Sequence, residues 1–194
     1  MRLNSVLLGL AAALLIAGPA DAHTGLHVGF SFTSGFAHPL SGLDHLLAMF
    51  AVGLLAAQLG GRAVWLVPGA FVTMMLAGAL IGFSGVEIPG IELGIALSTV
   101  AIALPVALAL GMPAPVAMAY VGVFALFHGF AHGAELPEGG AAAPYMLGFA
   151  ISTALIHAAG IAVGIAGSRL AKSAVPGRIA AACVAAVGLV LVVA

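Results

Sequence analysis

Residues 40–59 read LSGLDHLLAMFAVGLLAAQL. After Asp44 and His45 nothing charged follows within the stretch, and Gln58 is its next strongly polar side chain. Twenty residues at about 1.5 Å each cover roughly 30 Å, the thickness of the hydrocarbon core of a bilayer. The stretch therefore predicts a membrane-crossing helix whose carboxylate and imidazole lie one to two turns inside one end. A carboxylate at that depth is costly unless it is paired, wetted or bound to a metal.

Five similar runs follow, over residues 64–83, 93–111, 114–132, 145–166 and 179–193. They do not alternate in the manner of barrel strands. The fold class expected is all-α, a polytopic membrane bundle of six transmembrane helices after an N-terminal signal peptide. In 194 residues, 63% are apolar and 6% charged, far from the quarter or so expected of a soluble domain. With five Lys or Arg in all, there is no basic patch for nucleic acid. Cys183 is the single cysteine, which excludes an internal disulfide or a thiolate cluster and reads as packing.

Residues 1–22 read as the signal peptide. Arg2 supplies the positive start, an apolar run follows, and Ala20-Asp21-Ala22 offers a small-x-small cleavage site. An uncleaved signal anchor is the alternative. Residues 23–194 form a single transmembrane domain in this reading. With the mature N-terminus outside, Arg62, Arg169, Lys172 and Arg178 all fall in inner loops, as the positive-inside rule requires. Glu87, Glu92, Glu135 and Glu138 fall outside and give a negative outer face that gathers cations. Trp65 and Tyr145 read as interface anchors, and Pro105 predicts a kink in the third span. Glycine stripes at 78, 82, 85 and at 160, 164, 167 suit close helix packing, or a homo-oligomer contact.

Two polar clusters carry the chemistry. The first runs from His38 to His45, as HPLSGLDH. Its histidines are seven apart, on one face if the helix already holds at residue 38, with Pro39 suited to the first turn. The second runs from Phe127 to Glu135, as FHGFAHGAE, with His128 and His132 four apart and Glu135 continuing their face. Imidazoles and carboxylates suit Ni²⁺, Co²⁺, Zn²⁺ or Fe²⁺. Both clusters reach the same depth on the same side, so helices one and four, if adjacent, would share a divalent-cation site. Asp44, His45, His128 and His132 would desolvate the ion, with His38 and Glu135 as gate or capture groups. Protonation of imidazole in acid would weaken binding. The bland alternatives are an Asp44–His45 packing pair and histidines that meet lipid headgroups. His157, in mid-span, is either a deeper site or proton switch, or a packing histidine satisfied by Ser152 or Thr153. His23 and His27 are either metal-capturing or simply solvated.

The two clusters resemble the signature motifs of the HupE/UreJ family, and the likeness extends over essentially the whole chain. The family consists of small bacterial inner-membrane proteins encoded with nickel hydrogenase or urease genes, and is regarded as nickel permeases, with cobalt for some members. The resemblance implies metal-handling roles for His38, Asp44 and His45, and for His128, His132 and Glu135. It implies no prosthetic group, with nickel as cargo, and an indirect link to nickel-enzyme maturation proteins. Many members carry histidine where this chain has Phe130, which implies a weaker site or another metal preference. Two rivals accompany the permease: a membrane zinc hydrolase using Asp44 or Glu135 as base, and a periplasm-facing metal sensor or accessory subunit of a larger transporter.

Overall fold

The computed structural model describes residues 30–136 and 142–193. The signal-peptide reading, His23, His27 and Glu138 lie outside these residues. Among the described residues the chain is all-helical and has no strand. Seven helices follow one another: α1 (Phe32–Ser41), α2 (Leu43–Leu59), α3 (Ala63–Phe83), α4 (Ile91–Ala107), α5 (Ala114–Ala134), α6 (Ala142–Ala171) and α7 (Val175–Val193). Four of them, α3, α5, α6 and α7, are long and apolar enough to cross a membrane. The α1–α2 pair makes a fifth if counted as one span, and α4 is shorter, at 17 residues.

The first span departs from the continuous helix expected. It is broken at Gly42, where α1 and α2 meet at 84°. Gly42 ends α1 and starts α2 with extended backbone (φ −88°, ψ 116°), and its N–H reaches back to the His38 carbonyl. Helix does hold at residue 38, but Pro39 lies late in α1, not in its first turn. Ser31 starts α1 with a reciprocal cap. Its hydroxyl accepts from Ser34 N–H, and its own N–H donates to Ser34 Oγ.

α4 ends at Ala107, short of the expected residue 111, so Pro105 sits in its last turn and no kinked continuation follows. Ala109 takes positive φ (55°), and Gln58 Nε2 on α2 donates to the Leu110 carbonyl at 2.9 Å and to that of Pro105 at 3.4 Å. An amide side chain thereby caps one carbonyl in the last turn of α4 and one just past it.

Small residues set the packing. A Cβ on Gly78 would overlap the Leu126 carbonyl of α5, and one on Gly129 would overlap the Met75 carbonyl of α3. Contacts advance together along both helices, from Met74–Gly122 through Gly78–Leu126 to Gly82–Phe130, so α3 and α5 run parallel. Gly53 and Gly160 bring α2 and α6 into similar contact. Gly85, read as part of the first stripe, lies past the end of α3 with φ +79° and nothing within 4 Å.

Apolar side chains cover the outside as well as filling the core, unlike in a soluble fold. Large apolar side chains such as Trp65, Leu80 and Leu170 face outward, while His45, Ser98, Thr99, His128, His132, Ser152, Thr153 and His157 are buried. A bilayer solvates the first set, so the polar side chains gather inside. Tyr145, expected at the interface, is instead buried, its ring edge-on to Phe30 at 5.3 Å.

Candidate metal site

Asp44 stands in the first turn of α2, where unpaired backbone N–H groups favour a negative charge. Its Oδ1 accepts from the His45 backbone N–H and lies 2.8 Å from His45 Nδ1. A carboxylate only accepts, so Nδ1 carries the proton. In the neutral His45 ring Nε2 then presents a lone pair, and His132 Nε2, 2.7 Å away on α5, is the donor to it. A continuous chain thus runs from Asp44 through His45 to His132, joining the two motifs. Asp44 is partly exposed, while His45 and His132 are buried.

Two imidazole nitrogens at about 2.1 Å from a shared metal and at right angles are about 3.0 Å apart. The 2.7 Å contact is therefore close to a metal-bridged spacing, with a proton where the ion would be. Among the described residues, no group of three or more His, Cys, Asp or Glu is set around one point as it stands. The reason is visible in the bonds. Both His45 nitrogens are engaged, and an ion would have to replace the His132 proton. His132 would then carry its proton on Nδ1.

His128 is the third imidazole, its centroid 4.8 Å from that of His45. Ser98 Oγ donates to the Ile95 carbonyl at 2.6 Å, so it accepts from His128 Nε2 at 2.8 Å. His128 Nδ1 is thereby left as a buried lone pair without a hydrogen-bond partner among the described residues. That is the form in which an imidazole ligates a metal. His38 comes from α1, half-buried, with its ring 4.5 Å from that of His132 and 6.1 Å from that of His45. The bend at Gly42 brings His38 and His45 together, rather than a shared helix face. Glu135 ends α5 and is exposed, one turn beyond His132. Phe149 and Tyr145 of α6 wall the His38 side.

Five of the six motif residues, His38, Asp44, His45, His128 and His132, thus converge, and Glu135 is exposed one turn further along α5. His157 lies deeper, opposite Gly53 of α2. Its ring packs edge-on to Phe71, and neither nitrogen has a partner among the described residues. The packing alternative, satisfaction by Ser152 or Thr153, is therefore not what forms. Thr153 Oγ1 has one proton to donate and faces two sulfurs, Met49 Sδ at 3.3 Å and Met75 Sδ at 3.8 Å. Sequence reasoning missed Ser98 and Thr99 of α4. Ser98 fixes the His128 tautomer, and Thr99 Oγ1 donates to the Asp44 carbonyl at 3.1 Å. The available signal was an adjacent pair of hydroxyls within an apolar run. Phe130 is buried, two residues from each histidine of its motif and so about 200° around the helix from both.

The HupE / UreJ protein family model matches residues 11–191. The chain belongs to the HupE/UreJ family. It is 45% identical over 183 residues to Protein HupE of Rhizobium leguminosarum bv. viciae, covering 94% of each chain. No solved structure matches it. HupE/UreJ proteins form a nickel-transport membrane family and not an enzyme family, so the hydrolase reading is set aside.

Proposed function

We propose that this HupE/UreJ protein is a permease that takes Ni²⁺, or Co²⁺ as a close second, from the periplasm through the site between α2 and α5. The observation that carries this is the Asp44–His45–His132 chain, with its 2.7 Å contact between nitrogens of two different helices. His45 Nε2, His132 Nε2 and His128 Nδ1 hold the ion. Asp44 holds the His45 ring in the ligating tautomer and raises its basicity. Three imidazoles suit a borderline divalent ion, and a site short of full protein coordination releases what it binds.

His38 and Glu135 collect the ion at the outer mouth, where Glu87 and Glu92 add negative charge. The bent pair and α4 each count as a span, giving six. The mature N-terminus and the acidic loops face the periplasm of a bacterial inner membrane, and Arg62, Arg169, Lys172 and Arg178 face inward. The nickel supplied serves hydrogenase or urease maturation.

The test is uptake of Ni²⁺ into lipid vesicles containing only the purified chain. The outcome expected is saturable uptake, inhibited by Co²⁺. Binding without uptake would favour the sensor or accessory-subunit reading, and neither binding nor uptake would overturn the metal site.

A further inference from the structure

Beneath the first site, the interior between α2, α3 and α6 holds polar atoms that the outer cluster does not use. Met49 is one turn below His45 on α2, about 6 Å along the axis. Met75 of α3 reaches the same point, because both sulfurs lie within 3.8 Å of one hydroxyl, Thr153 Oγ1. His157 is one turn further along α6, on the same face as Thr153. All four side chains are buried. Both His157 nitrogens and the Ser152 hydroxyl lack hydrogen-bond partners among the described residues. The Phe71 ring stands between the two levels, its centroid 5.8 Å from that of His128 and 5.1 Å from that of His157. An imidazole with two bare nitrogens is an expensive thing to keep in a membrane interior, and such groups mark ion paths.

Resting on the permease reading, we infer that the chain carries a second cation station, formed by Met49 Sδ, Met75 Sδ and His157, which accepts borderline and soft cations and rejects hard ones. Thioether sulfur and imidazole bind Ni²⁺ but are poor ligands for Mg²⁺, which prefers oxygen. The carboxylates at the outer mouth attract any divalent ion, and the outer imidazoles favour borderline ones. A softer inner station adds a second selection in series with the first. Methionine's flexible side chain lets the sulfurs swing from Thr153 to an arriving ion. Two stations in series also keep each one weak enough to release.

The test uses the full chain with its methionines replaced by selenomethionine, in lipid nanodiscs with excess Ni²⁺. X-ray absorption at the nickel edge is expected to contain a selenium neighbour, which Cys183 cannot mimic. Only light-atom neighbours at saturation would overturn the station. In vesicles, the Met49→Leu, Met75→Leu double variant is expected to lose about tenfold in Ni²⁺ uptake. Unchanged uptake would overturn the station, while loss of uptake in Asp44→Asn beside it would leave the outer site standing. If Asp44→Asn were also without effect, both proposals would fall. Should the double variant not fold, the absorption spectrum of the parent chain decides.

Discussion

A methyl group at Gly42 would sit 3.1 Å from Asp44 Oδ1 and 3.3 Å from His45 Nδ1, tighter than ordinary contacts. The backbone there is extended, so alanine is tolerated by φ and ψ but crowds the carboxylate–imidazole pair. Gly42→Ala is expected to leave thermal unfolding within a few degrees of the parent and to cut Ni²⁺ affinity about tenfold, read by titration calorimetry. Asp44→Asn keeps an acceptor for His45 but removes the charge. Affinity should fall by about 10- to 100-fold with folding intact, and equal affinity would show that Asp44 has no part in binding. Phe130→His, by contrast, should leave affinity unchanged, because residue 130 lies on the other side of α5 from His128 and His132. At this scale the sequence was informative where titratable residues interrupt apolar runs, as at Asp44, His45, His128 and His132. It offered only adjacency for Ser98 and Thr99, and nothing for Met49 and Met75. Hydroxyls and thioethers are ordinary in membrane helices, and only partners from other helices give them roles.

At the scale of the element, the helices were legible because apolar runs and short loops fix their existence, while their ends were not. α6 spans 30 residues, longer than the 145–166 run, since nothing in the chain stops helix before Ala171. The 84° bend has a local trace in Pro39 and the Ser41-Gly42 pair, but residues 40–59 are apolar enough to read as one continuous span. The bend at Gly42 sets the His38 ring against those of His45 and His132. Helix pairing depends on backbone approach. Gly129→Val would push the Met75 carbonyl and force α5 away from α3. Such overpacking is expected to cost about 1–3 kcal/mol, measured as a lower midpoint of unfolding in detergent. An unchanged midpoint would mean that the α3–α5 contact is not a close one. Gly85→Ala, beyond the helix end, is a control for strain alone, since its positive φ has no neighbour to crowd.

Across the whole molecule, the bundle turns its polarity inward and brings one end of α2 and one end of α5 to the same level. Residues 87 places apart in sequence then share a hydrogen bond. Spacing within each motif was readable beforehand, but their meeting depends on three-dimensional packing that no single stretch encodes. The most direct test is a double-mutant cycle on nickel affinity, using His45→Gln, His132→Gln and both together in the full chain. If the two rings hold one ion, losing the second after the first costs little, and the combined loss falls at least about tenfold short of the product of the single losses. Independent, multiplying losses would mean that the two imidazoles do not share an ion, and the site between α2 and α5 would have to be given up.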